Sequence, residues 1–125
     1  MPIQSSIDDK HGIRLHVGSG TVGFAEIKAA ASQITHHEAY SPQLPVIWDF
    51  RQAKMDLSLD EMWQLIETGR QLIGDVWPGK VALVVSHDAD YGQGRMYEQL
   101  SESLVHNRFQ VFRDYEQAIT WLATA

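Results

Sequence analysis

Two short segments constrain this chain most: Val46-Ile47-Trp48-Asp49-Phe50 and Val81-Ala82-Leu83-Val84-Val85. Each is too short for a helix, and each carries apolar side chains on both faces. A strand with two apolar faces is covered on both sides, the condition of parallel sheets. Lys80 to Val85, rich in valine, is expected to be central. Between the two segments lies a helical pattern, so they read as neighbouring strands of one sheet joined by a crossover helix. Such crossovers are right-handed almost without exception. The turns after Phe50 and Val85 then leave the sheet on one edge, where open α/β sheets bind ligands.

The remaining elements fall into place around this pair. Ile3 to Ile7 is a short strand, followed by the polar cluster Asp8-Asp9-Lys10-His11-Gly12. Ile13, Leu15 and Val17 alternate with Arg14 and His16, the period of a half-buried strand. Together these segments predict an antiparallel N-terminal hairpin. Gly18-Ser19-Gly20-Thr21 is expected to break the second strand. Phe24, Ile27, Ala30, Ala31 and Ile34 recur at helical spacing and predict a first helix over about Val22 to His37. Ser58 with Glu61 forms a capping box. The second helix follows with Leu59, Met62, Trp63, Ile66, Leu72 and Ile73 as its buried stripe, and Pro78-Gly79 marks its end. A loop over Ser86 to Asp90 leads to a third helix from about Tyr91 to His106. Phe109 to Phe112 is a last strand. Asp114 with Gln117 starts a fourth helix that buries Ala118, Ile119 and Leu122. The order is ββαβαβαβα, and nothing in the 125 residues marks a linker or repeat, so one domain spans 1–125.

Composition removes whole classes of function. The chain has no cysteine, which excludes a thiol nucleophile, a zinc-thiolate site and an iron–sulfur cluster. The net charge of −6, with basic residues scattered, offers no stripe for a phosphate backbone, so no nucleic-acid partner is expected. The longest apolar run is far too short for a bilayer, so no integral membrane segment is expected. Met1-Pro2-Ile3-Gln4 does not open a secretory signal. The cytoplasm is the expected compartment.

With the elements placed, the sequence resembles the SpoIIAA-like proteins, relatives of the STAS domains. Val46-Ile47-Trp48-Asp49-Phe50-Arg51 looks like that family's strand ending in Asp and Arg. Gly79 to Val84, followed by Tyr91-Gly92-Gln93-Gly94-Arg95-Met96-Tyr97, looks like its central strand and the next helix. Val111-Phe112-Arg113-Asp114 with Glu116, Ala118, Trp121 and Leu122 looks like its closing strand and helix. The resemblance implies a single STAS-like α/β domain, with a mixed, mostly parallel five-stranded sheet flanked by four helices. It also implies a binding module, switched in some relatives by phosphorylation of a serine at the start of the helix after a central strand. Ser58 is the corresponding position. This chain has Asp56-Leu57-Ser58-Leu59 where that switch carries small residues around an exposed serine.

Several residues could carry chemistry, each with a plainer reading. Ser58 is a phospho-acceptor at a helix N-terminus or simply the N-cap, and Asp56, Asp60 and Glu61 would repel a phosphate. His87, Asp88 and Asp90 could form a metal or acid–base site, but their spacing matches no known ion loop, so no metal is assigned. The plainer reading caps helix three with Asp88 or Asp90. Gly92-Gln93-Gly94 lacks the rest of either phosphate-loop motif. Arg51 and Arg95 could receive an anion beside a helix start, or pair with Asp49 or Asp88. Arg51, His87, Asp88 and Arg95 are the candidate ligand-binding set. His36 and His37, adjacent on a helix, point apart and cannot readily grip one ion. Trp48, Trp63 and Trp121 read as core anchors, and Trp77 as a partner contact. No catalytic triad spacing occurs, so no catalytic residue and no cofactor is assigned.

The expected function is a non-enzymatic regulatory or protein-interaction module. Self-association as a homodimer would cover the edge of the N-terminal hairpin. The alternative is a binding protein for a small anionic or amphipathic, lipid-like ligand between sheet and helices, prompted by Arg51, Arg95, Trp48 and Trp63. An enzyme using His87 with Asp88 or Asp90 is a third reading.

Overall fold

The computed structural model describes residues 2–8, 10–74, 79–105 and 108–124, the side chains of Ile73, Ser103, Leu104 and Val105 excepted. Trp77, Pro78, Asp9 and His106 lie outside the described residues. The elements are β1 (Ile3–Asp8), β2 (Ile13–Gly23), α1 (Phe24–Gln33), β3 (Val46–Asp56), α2 (Leu59–Ile73), β4 (Val81–Val85), α3 (Asp88–Val105), β5 (Phe109–Phe112) and α4 (Tyr115–Leu122). Their order is the predicted ββαβαβαβα. All five strands form one sheet whose spatial order repeats the chain order, β1-β2-β3-β4-β5. β1 pairs antiparallel with β2, and the other three pairings are parallel. β3 is the middle strand, with Trp48 beside Leu83 of β4.

This order decides where the helices go. Three right-handed crossovers that always step the same way must place α1, α2 and α3 on one face. Only α4, which follows the last strand, reaches the other. The side chains agree. Val46, Phe50, Val81, Leu83, Val85, Phe109 and Val111 pack with Ala30 of α1 and with Tyr91 and Tyr97 of α3. Ile13, Ile47, Ala82, Val84 and Phe112 pack on the opposite side with Ala118 and Leu122 of α4. Ile47, Ala82 and Val84 are fully buried. Burying an aliphatic side chain of valine or isoleucine size contributes about 2 kcal/mol.

Four local expectations are corrected. β2 continues through Gly18-Ser19-Gly20-Thr21, with a register shift between Val17 and Ser19. The glycines admit a bulge without ending the ladder. A Cβ on Gly18 would lie 2.7 Å from the Phe50 ring, and Gly20 sits at φ 69°. β3 runs on to Asp56, so Arg51 lies within the strand and not in the loop beyond it. α1 ends at Gln33 and tightens into a 3-10 turn over Ile34–His36, which leaves His37 outside the helix. α3 begins at Asp88, because the Tyr91 N–H already donates to the His87 carbonyl at 3.0 Å.

The stripe of α2 is also narrower than its composition. Met62 and Ile66 are buried, whereas Leu59, Trp63 and Leu72 are 53%, 49% and 41% exposed. Leu59 and Trp63 stand one turn apart on the flank of the buried pair. Trp63 is therefore not a core anchor.

Candidate functional site

A sheet that steps in one direction has no point where the winding reverses. It lacks the switch-point crevice of doubly wound folds. An apolar opening lies instead between the sheet and its three-helix face. Its cavity of about 130 Å³ is lined by aliphatic and aromatic side chains of β3, β4, α1 and α2. Arg14, Val46, Val81 and Phe109 contribute from the starts of the parallel strands, Thr35 from the 3-10 turn after α1 and Leu72 from the far end of α2. The cavity thus reaches the edge opposite the predicted loops. Gly69, a glycine inside α2, is part of its wall, so the helix borders open space there.

Arg14 is the single formally charged residue among the described lining residues. Its backbone N–H donates to the Pro45 carbonyl at 2.9 Å, which ties the start of β2 to the loop before β3. Its guanidinium carbon lies 6.0 Å from the Trp48 ring centroid. The side chain is half-buried, but Nε is sealed from solvent and has no hydrogen-bond partner among the described residues. Burial pushes its pKa down to about 10, a little offset by Tyr40, so it stays a cation at neutral pH.

His16 stands two residues on, fully buried, and stacks on Trp48 with centroids 3.9 Å apart and planes at 14°. Its Nδ1 shares a 2.6 Å hydrogen bond with Ser5 Oγ, and Nε2 has no partner among the described residues. Burial first, and the charge of Arg14 second, depress its pKa to about 3. The ring is neutral near pH 7 and serves as a flat wall that fixes Trp48.

The alternation in β2 predicts a half-buried strand, whose polar side would be that of Arg14 and His16. They face the helices instead, in register with Val46 and Trp48 of the next parallel strand. The available signal was topological: β2 opens a βαβ unit, and such strands are covered on both faces.

Three residues of the predicted ligand set are each engaged separately, and the fourth, His87, is exposed. Arg51 forks onto Asp49 at 2.9 and 2.8 Å and lies 4.6 Å over the Tyr115 ring on the α4 face. Burial works to raise the Asp49 carboxyl, and the Arg51 hydrogen bonds overturn that and leave it below its ordinary value. Asp88 is exposed and pairs with Arg113, whose guanidinium covers Tyr91. Arg95 pairs with Glu98 at 2.7 Å. No pair among the four is joined by a hydrogen bond or ion pair. Asp90 is fully buried, and its Oδ1 accepts the Met55 N–H at 3.1 Å, so neither Asp88 nor Asp90 converges with His87. Among the described residues no group of three His, Asp or Glu side chains could hold a metal.

Ser58 caps α2 as the pattern predicts. Its Oγ accepts from the Glu61 N–H at 3.2 Å, and Glu61 Oε1 accepts from the Ser58 N–H at 2.9 Å. Gln93 of α3 holds the approach to this cap, accepting from Leu57 N–H and donating to the Met55 carbonyl, both at 3.3 Å. Beside Ser58, Leu59 and Trp63 are exposed, as is Met96 of α3.

No protein-family model matches the chain, and no curated protein matches it by sequence. Solved structures do. An uncharacterised protein of the DUF3478 family with a SpoIIAA-like fold, from Shewanella loihica, superposes with a TM-score of 0.59 at 14% identity. The match covers 97% of this chain and 92% of that one. The phosphorylated form of the Bacillus cell-fate determinant SpoIIAA gives 0.51 at 14% identity, covering 95% and 97%. The unphosphorylated form of the anti-sigma factor antagonist SpoIIAA gives 0.50 at 12% identity, covering 98% and 99%. The chain has the SpoIIAA-like fold that its strand and helix motifs resemble. Among the described residues no helix is long and apolar enough to cross a membrane.

Proposed function

We propose that this protein is a non-enzymatic regulatory module that holds a small amphipathic ligand between its sheet and helices α1 to α3. One observation carries the reading: an open, apolar-walled cavity of about 130 Å³ contains one cation, Arg14. Small-molecule sites are concave and mainly apolar, with a few polar groups that fix orientation. The proposed ligand position moves from the strand-end loops around Arg51, His87, Asp88 and Arg95 to the helix-covered face of the sheet. Thermal denaturation of the full chain with octanoate and with 1-octanol tests it. A ligand at 100 times its dissociation constant adds about 2.7 kcal/mol of stability. At roughly 4 °C per kcal/mol for a domain of this length, the midpoint should rise by about 10 °C. Filling the cavity with Ala31→Trp should abolish the rise. No shift with either compound refutes the reading.

The exposed Leu59, Trp63 and Met96 favour a second role, docking of a protein partner beside Ser58. SpoIIAA, which shares the fold, is an anti-sigma factor antagonist by name. A switch at Ser58 would work against Asp56, Asp60 and Glu61, and phosphorylation there would have to displace the capping box. Self-association through the outer edge of β1, where Gln4, Ser5 and Ser6 are exposed, would give a homodimer. Light scattering that finds only monomer removes it. A cysteine-free module of this kind suits the cytoplasm.

A further inference from the structure

A half-buried guanidinium without an anion is an unusual thing to place in an apolar wall. Charged groups taken from water are ordinarily paired, because an uncompensated one is costly. Arg14 has no carboxylate partner among the described residues, and Trp48 at 6.0 Å offers it only an aromatic face. Its backbone is fixed at Pro45, so the side chain starts from one end of the cavity. A carboxylate can take the terminal N–H groups of the guanidinium, which, unlike Nε, are not sealed from solvent. Tyr40, also in the lining, offers a hydroxyl beside the same head group.

The charge balance selects the head group. One cation lines the cavity, and a monoanion neutralises it. A phosphate monoester carries about −1.5 to −2 at neutral pH and would leave negative charge in an apolar enclosure. The volume selects the body. A dry cavity of about 150 Å³ accepts a benzene-sized molecule, and the 130 Å³ here is close to that. The wall includes Trp48, Phe50, Tyr97, Phe109, Leu65 and Leu83, so the body must be apolar.

We propose that the cavity is a carboxylate site for a monocarboxylic acid with an aryl or alkyl body of about six to eight carbons. The carboxylate sits on the Arg14 fork and the body lies against Trp48. This rests on the reading that the cavity holds a ligand, and it adds the ligand's chemical class. Neutral His16 behind Trp48 keeps the indole in place without adding a second cation, which would change the charge selected.

Calorimetric titration of the full chain at pH 7.5 with octanoate, 1-octanol and octyl phosphate tests the assignment, since the three share one apolar body. Octanoate should bind about tenfold tighter than either of the others, the worth of a charge-assisted hydrogen-bond pair. Arg14→Met keeps the aliphatic stem and should erase that preference, bringing octanoate down to the affinity of 1-octanol. Equal binding of octanoate and 1-octanol, or a preference that survives in Arg14→Met, overturns the carboxylate site and leaves the cavity reading standing. Octyl phosphate matching octanoate overturns the charge argument. Silence toward all three overturns both readings. Circular dichroism checks the variant, and if Arg14→Met does not fold, the ranking of the three compounds on the unaltered chain decides alone.

Discussion

Acidification from pH 7 to pH 5 should weaken this fold chiefly through His16. The ring is fully buried and its pKa falls from 6.5 to about 3 in the native state. In the unfolded chain it titrates near 6.5. Between these values the unfolded state holds a proton that the native state does not, so stability rises with pH across that window. It is complete above pH 6.5 and is lost as pH falls toward 3. The slope is about 1.4 kcal/mol per pH unit. From pH 7 to pH 5 the group loses about 2 kcal/mol, and the full loss by pH 3 approaches about 5 kcal/mol. Urea unfolding at pH 7 and pH 5 measures the difference. His16→Leu, similar in volume and unable to titrate, should flatten it by about 2 kcal/mol, whatever its own stability at pH 7. Ser5 is exposed and can turn to water in the variant. If the two proteins lose stability equally between pH 7 and pH 5, His16 is not held neutral by burial and the description of the Trp48 wall is wrong.

Two further predictions concern packing and the cap. A Cβ on Gly94 would lie 2.7 Å from Val111 Cγ2 and 3.1 Å from Leu83 Cδ2, so Gly94→Ala should destabilise by about 1–3 kcal/mol through overpacking. A midpoint in urea unchanged from the parent would mean that α3 does not press on β4 and β5 there. Ser58→Ala removes the Oγ acceptor of the Glu61 N–H and should cost about 1 kcal/mol. Ser58→Asp should keep most of that stability, because aspartate caps equally well; a loss as large as alanine's would contradict the capping geometry.

Much of the fold was legible because it depends on local pattern. Val46 to Phe50 and Val81 to Val85 carry apolar residues on both faces, and only a covered, parallel strand tolerates that. The capping pairs Ser58–Glu61 and Asp114–Gln117 mark two helix starts, since the unsatisfied N–H groups of a first turn need acceptors close in sequence. Gly18 and Gly20 misled, because glycine permits a bulge as readily as a break, and the pairing of Ser19–Gly23 with Gln52–Asp56 is made by a distant segment. Trp63 misled too. Its helical spacing suited burial, but α2 turns only the Met62–Ile66 side to the sheet.

The site was less legible. Arg51 lies within β3, Asp88 opens α3 and Arg95 lies along it, and each has a nearby opposite charge in Asp49, Arg113 or Glu98. Short-range pairing of this kind is worth little and directs nothing toward a ligand. Asp90 was absorbed in a different way: its carboxylate holds the Met55 N–H and fixes the path of β3 toward the Ser58 cap. The amino-acid order by itself determined the βαβ rhythm, the covered strands and the helix caps, because hydrophobic period and hydrogen-bond demand act over a few residues. The tertiary structure alone decided that β2 to β5 step in one direction. That puts three helices on one face, turns Arg14 and His16 inward beside Trp48, and leaves open space between sheet and helices. Such an outcome depends on how separated segments stack and on where their side chains fail to fill the gap, and no run of neighbouring residues encodes it.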